Sequence, residues 1–264
     1  MRFAGKLKAY FLRFLTHKKK NVFDIKNTRN ILFLRYDRIG DMVITTPVFR
    51  ELKQKYPKIN ISVLASSINQ NVLQNNPYVD KVYLNYKNNL FKDFPTLLKL
   101  RSNKYDVCVE FDHSVIPHLI VRLKIIKPKK IISVFKEGRY GVKGTELELY
   151  DYYTEKTEGS HFQEIWLNTL NPFGVKPKSS QYELFCSADQ KKKADDYLSL
   201  FEKKMLVGIN IEGAIQGKRI QSNKLEEICQ GIYHINNNVQ IILLSSPKKH
   251  KNILQFCFRL DLYR

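Results

Sequence analysis

Ile31-Leu-Phe-Leu-Arg35-Tyr-Asp-Arg-Ile-Gly40-Asp41-Met-Val-Ile-Thr-Thr-Pro47 decides the fold class. Its first four residues are an unbroken apolar run, which suits a strand buried on both faces of a parallel sheet. The polar turn from Arg35 to Asp41 then hands over to a helix expected to run towards Tyr56. Strand, short loop and helix in that order form the ligand-carrying unit of an open α/β sheet, whose cleft lies beyond the carboxyl ends of the strands. Arg35, Asp37, Arg38, Gly40 and Asp41 should therefore face that cleft. Gly40 permits close backbone approach or a positive φ. Taken by itself, Asp41 reads as a helix N-cap.

Downstream, strands expected at 59–65, 81–84, 106–111 and 130–134 alternate with helices near 68–74, 91–101 and within 114–126. This alternation implies a parallel sheet with helices on both faces. The strand at 106–111 delivers Asp112 and His113 to the same cleft edge as Asp41. An Asp-His pair at a strand end is, on its own, more often a structural hydrogen bond than a catalytic dyad. Residues 135–157 are irregular, charged and rich in Gly and Tyr, and read as a long excursion at the cleft rim, functional or mobile. A helix follows from 160, capped by Ser160 and ending before Pro172.

Residues 176–180 have the composition of an interdomain linker. Beyond them a second α/β unit is expected: a helix at 189–201, a strand at 205–211, a loop at 212–219, a helix at 222–234 and a strand at 239–245. The expected organisation is thus a basic helix at 1–20, a first domain at 28–178 and a partial second domain at 179–264. A sheet of two parallel strands is poorly stable alone, and two full domains of this kind need about 300 residues.

Across the 264 residues, 45 Lys and Arg against 25 Asp and Glu leave a net charge of +20, and 43% of the chain is apolar. Such a chain buries a core and presents a markedly positive surface, suited to nucleic acid, anionic lipid or a phosphorylated sugar. No nucleic-acid-binding signature accompanies the charge. Cys108, Cys186, Cys229 and Cys257 form no C-x-x-C pair, which leaves buried, reduced thiols as the default and indicates neither a zinc nor a redox motif. No apolar run reaches the length of a membrane span.

Residues 1–20 stand apart. Phe3, Leu7, Tyr10, Phe11, Phe14 and Leu15 recur at helical spacing, with Arg2, Lys6, Lys8, Arg13 and Lys18-Lys19-Lys20 on the remaining faces and no acid among them. The apolar centre of a signal peptide is absent. The segment reads either as a basic amphipathic helix lying on an anionic membrane surface or as a helix packed on its own domain.

The order Arg35, Gly40-Asp41, Thr45-Thr46-Pro47, Tyr56-Pro57 and Pro77-Tyr78-Val79-Asp80 closely resembles the opening of the glycosyltransferase family 9 heptosyltransferases. The resemblance extends over about residues 30–245 and implies a GT-B-like architecture: two Rossmann-type parallel-sheet domains, the second incomplete here. It implies inverting transfer of heptose from a nucleotide-diphosphate-heptose, ADP-heptose in that family, to the lipopolysaccharide inner core, without an obligatory metal or other cofactor. The absence of a D-x-D pair flanking a strand agrees with a metal-free site. By this resemblance Asp41 is the base that takes the acceptor hydroxyl proton. Arg35, Arg38, Gly40, Asp112 and His113 lie on the acceptor side, and Lys136, Arg139 and Lys143 suit a phosphorylated acceptor. The loop at 212–219 resembles the donor loop, with Lys218 at the diphosphate-binding lysine and Gly213 and Arg219 beside it. The aromatic-proline that usually follows is replaced by Ile220-Gln221, and the glycines and carboxylate expected after Ser245 by Ser246-Pro247-Lys248-Lys249-His250.

The implied partners are a nucleotide-diphosphate sugar, a lipid-linked phosphorylated saccharide and an anionic membrane surface, with no nucleic acid. The implied place is the cytoplasm, peripherally on the inner face of the cytoplasmic membrane. Two other readings stand beside the transferase: a truncated, inactive family member, and a basic surface-binding protein that keeps only the scaffold.

Overall fold

The computed structural model describes residues 3–18, 22–86, 89–138, 142–155, 159–201, 203–211 and 220–245. The apolar run forms strand β1 (Asn30–Leu34), flanked in parallel by β2 (Asn60–Ser66) and β4 (Val107–Glu110). Ile31 and Phe33 enter the core on one face of the sheet, Leu32 and Leu34 the core on the other, the period of two that a strand imposes. Each side chain so buried contributes about 1.5–3 kcal/mol, as an upper bound.

Outside these lie β3 (Lys81–Asn85) beyond β2, β5 (Lys130–Ser133) beyond β4, and the short β6 (Tyr152–Tyr153) beyond β5. All pairings are parallel, and the order is β3-β2-β1-β4-β5-β6. Strand order reverses between β1 and β4, so the ligand crevice of such a sheet opens at their carboxyl ends. Helix α2 (Ile39–Lys55) and the short α5 (Phe162–Leu167) cover one face. Helices α1 (Phe3–Thr16), α3 (Leu90–Ser102) and α4 (Pro117–Ile126) cover the other. No described helix is long and apolar enough to cross a membrane.

The Thr-Thr-Pro of α2 has a local reason. Pro47 has no N–H to give the Val43 carbonyl, and the Thr46 hydroxyl donates to that oxygen instead, at 2.8 Å. The same hydroxyl accepts from the Glu183 amide at 3.2 Å. Arg50, buried on the same helix, donates to the carbonyls of Gln181 (2.8 Å) and Ser179 (2.7 Å) and pairs with Glu51. Lys178 N–H reaches Glu51, and Phe185 meets Tyr78 edge to face. Residues 176–180, read as a linker, and the six that follow are therefore held on the first compact unit, which spans residues 1–186.

Four other segments differ from their sequence reading. Residues near 68–74 form only a 3-10 turn, Gln70–Leu73. Gly40 is helical, its φ not positive. The described residues of 135–157 are packed rather than a free excursion: Val142, Leu147, Leu149 and Tyr150 are buried, and β6 lengthens the sheet. Gly144 makes that packing possible, because a Cβ there would overlap the Lys136 side chain and carbonyl. Finally, α5 is capped by His161, whose side chain accepts from Gln163 N–H, and it runs on through Pro172 as a 3-10 helix (Asn168–Phe173) to Gly174, where φ is +68°.

The second unit begins at Ser187. Ser187 and Gln190 form a capping box at the start of α6 (Ala188–Ser199). Strands β7 (Met205–Asn210) and β8 (Val239–Leu244) pair in parallel through the crossover helix α7 (Ser222–Ile235). Leu225, Cys229, Val239 and Ile241 make its small core.

Candidate active site

The switch point between β1 and β4 carries a cluster of charged groups. Arg35 leaves β1 with its amide still bonded to the Leu64 carbonyl at 3.0 Å, and its side chain is 3% exposed. The guanidinium is held by two rings and two carboxylates. Its carbon lies 3.9 Å from the centre of the Trp166 ring and 5.3 Å from that of Phe111. Nε donates to the Asp41 carbonyl at 3.3 Å, Nη1 meets Asp37 Oδ2 at 3.0 Å, and Nη2 stands 3.6 Å from Asp41 Oδ1. Burial lowers the arginine pKa, while Asp37, Asp41 and Asp112 oppose that shift.

Asp41 lies in the first turn of α2, three positions beyond the N-cap Arg38. It is therefore not the cap that it resembles in isolation; the cap position belongs to Arg38, which makes no side-chain capping bond. A carboxylate in the first helical turn is still favoured by the exposed N–H groups and the helix dipole. Asp37 and Asp41 present about a third of their side chains to solvent (35% and 32%), so both carboxylates are reachable while the guanidinium behind them is not. Burial, with Asp41 close by, raises the Asp37 pKa against the pull of Arg35. A methyl group at Gly40 would meet nothing within 4 Å, so the helix mouth is open beside Asp41.

From β4 comes the second half of the cluster. Glu110, fully buried, accepts from the Ser133 hydroxyl, pairs with Lys136 Nζ at 2.5 Å and accepts the Asp112 amide at 2.9 Å. Lys136 also donates to the Asp112 carbonyl and faces the Tyr150 ring. Expected to greet a phosphorylated acceptor, Lys136 is instead buried and fully engaged with Glu110, so it cannot serve that role. Lys143 is exposed and caps the Gly144–Glu146 turn, and Arg139 lies outside the described residues. Asp112 is pushed up to about 6, chiefly by burial and then by Glu110. Its neighbour His113 accepts the Trp166 indole N–H at Nε2, 3.4 Å away, and burial followed by Lys136 and Arg35 lowers its pKa. The histidine is thus neutral and helps to hold the tryptophan.

The structure places Arg35, Arg38, Gly40, Asp41, Asp112 and His113 on the segments that leave the carboxyl ends of β1 and β4. Asp37 joins them, and Trp166 meets Arg35 from α5. Asp37 was legible as a cleft residue, but its shared grip on Arg35 was not; Trp166, the single tryptophan, gives no local signal for its place. Arg35 Nη2, Asp37 Oδ1 and Tyr36 Oη are buried with no hydrogen-bond partner among the described residues. Such atoms are costly unless a bound group or water meets them. Lys218, Gly213 and Arg219 of the donor loop lie outside the described residues. No cluster of three or more metal-ligating side chains occurs among the described residues.

No family model matches the chain. Lipopolysaccharide heptosyltransferase 3 of Escherichia coli K12 is 28% identical over 142 residues, 52% of this chain and 40% of that protein. The matched part therefore spans well under half of the relative. A glycosyltransferase family 9 structure from Veillonella parvula superposes with a TM-score of 0.71 at 15% identity, covering 92% of this chain and 69% of that one. The ADP-heptose lps heptosyltransferase II of E. coli gives 0.66 at 17%, covering 88% and 69%. The chain is thus similar in sequence to lipopolysaccharide heptosyltransferase 3 over about half of its length, and its α/β fold is similar to that of the two solved structures.

Proposed function

We propose that this chain is an inverting glycosyltransferase that moves heptose from ADP-heptose to a lipid-linked lipopolysaccharide inner-core acceptor. The observation that carries the reading is the placement of Asp41: a reachable carboxylate at the mouth of α2, at the switch point, with Arg35 locked behind it. Asp41 takes the proton of the acceptor hydroxyl as its oxygen attacks the anomeric carbon. The bond from that carbon to the diphosphate breaks on the opposite face, and the nucleotide diphosphate leaves with the electron pair. Arg35 orients Asp41 through its carbonyl and carboxylate, and the partly buried Asp112 and His113 shape the acceptor side with Arg38 and the open Gly40.

Lys218, Gly213 and Arg219 are proposed for the departing diphosphate, since a lysine in a loop before a helix suits that charge. A lipid-linked acceptor also proposes a place: the cytoplasm, peripherally on the inner face of the cytoplasmic membrane.

The test is acceptor-dependent release of ADP from ADP-heptose. The unaltered chain should show it, and Asp41→Asn should lower it about 10²- to 10⁴-fold without a change in fold. Undiminished release by the asparagine variant overturns the role of Asp41, and no release by the unaltered chain overturns the transfer.

A further inference from the structure

Helix α1 is docked on its domain by Ala9, Leu12 and Thr16, with Leu15 packed beside them, and not by its aromatic residues. Ala9, Leu12 and Thr16 are buried against the core that α4 helps to form. Leu7, Tyr10, Phe11 and Phe14 stand 58–72% exposed, at the i, i+3, i+4 and i+7 positions of a single stripe. An amphipathic helix that only covered its own domain would turn that stripe inward. On the same sheet face, α3 also turns outward Phe91, Phe94 and Leu98. An exposed apolar stripe such as that of α1 marks an interaction site.

At the end of α1 the chemistry changes sign rather than polarity. His17 and Lys18 join Lys124 and Lys127 around a hollow of about 390 Å³ floored by Leu123 and Leu149. Lys18 is neutralised by Asp151 at 2.7 Å. Lys124 donates to the His17 carbonyl, and the charges acting on it are those of Lys18 and Lys127, both of its own sign. An apolar floor under uncompensated ammonium groups fits an anionic amphiphile. A second copy of this chain, at net charge +20, would bring like charge to the same rim.

We propose that the outer stripe of α1 and the lysine-rimmed hollow at its end form one preformed contact surface for an anionic phospholipid bilayer. The helix binds without leaving its domain: Leu7, Phe11 and Phe14 enter the acyl boundary, and Lys124 and Lys127 meet lipid phosphates. This deepens the membrane placement proposed above and is read without donor or acceptor, so its failure leaves the transfer reaction standing.

Flotation of the full chain with vesicles of phosphatidylethanolamine and phosphatidylglycerol, against phosphatidylcholine alone, tests it. Binding should require the anionic lipid and weaken with salt. Lys124→Gln and Lys127→Gln should each lower the partition coefficient about fivefold. The combined Leu7→Ser, Phe11→Ser, Phe14→Ser variant should lower it by about a hundredfold or more, with an unchanged melting temperature, since these side chains make no core. No flotation of the unaltered chain, or flotation indifferent to the serine changes, overturns the proposal. So does a dimer in sedimentation velocity that the serine changes dissociate while flotation stays the same.

Discussion

The guanidinium carbon of Arg35 lies 3.9 Å from the centre of the Trp166 ring. This contact joins the end of β1 to α5 and sets the plane in which Arg35 can offer its nitrogens to Asp37 and Asp41. Trp166→Ala should cost about 3–5 kcal/mol of stability by leaving a cavity. Trp166→Phe keeps a ring under the cation and should cost about 1–2 kcal/mol. Denaturant titration measures both. If the tryptophan acts through Arg35, the phenylalanine variant also loses acceptor-dependent ADP release at temperatures where it is fully folded.

Lys136 and Glu110 are buried as a pair, so removing one partner strands the other. Lys136→Met should destabilise the protein by about 3–5 kcal/mol, and adding Glu110→Gln should restore much of the loss. A double-mutant cycle by chemical denaturation reads the coupling. Additive losses would show that the pair contributes nothing as a pair.

Asp112 makes a prediction about pH. Its folded pKa is raised to about 6, above the ordinary 3.8. Between those values the folded protein holds a proton that the unfolded chain has released, so this contribution to stability falls as pH rises through that window and is constant above it. Asp112→Asn imitates the protonated form at every pH. The stability difference between variant and parent should grow in the variant's favour from pH 4 to pH 7, by about 1–3 kcal/mol. A difference that does not change with pH would remove the raised pKa.

Arg50 binds the outgoing chain through two carbonyls and also satisfies the buried Glu51. Arg50→Met should therefore destabilise by about 3 kcal/mol or more and expose residues 179–185 to protease. Limited proteolysis with mass analysis shows whether cleavage moves there. Unchanged cleavage would mean that Thr46 and Tyr78 hold the segment without it.

Much of the fold was legible in the sequence because β1 is a continuous apolar run and β2 to β5 are short, mainly apolar segments alternating with helices, and because the polar turn after β1 leads directly into α2. Where the reading failed, burial was the missing quantity. Lys136 looks like any loop lysine until Glu110 and Ser133 close over it. Asp41 next to a glycine looks like a cap, yet the helix begins earlier, at Ile39. Trp166 meets Arg35 only through the packing of α5 on α2, a contact between residues distant along the chain that no local pattern encodes.

The stretch 142–153 has α1 on one side and the crevice on the other. Arg13 pairs with Glu146, His17 with Glu148 and Lys18 with Asp151, while Tyr150 faces the ammonium of Lys136, which grips the Asp112 carbonyl. The first two pairs are solvent-exposed and are screened by salt, whereas the third is largely enclosed. Ionic strength therefore acts on this protein in two places at once. It loosens the outer fastenings of α1, and it screens the lysine rim beside them, leaving Lys18 and Asp151 as the salt-resistant rivet between helix and crevice wall.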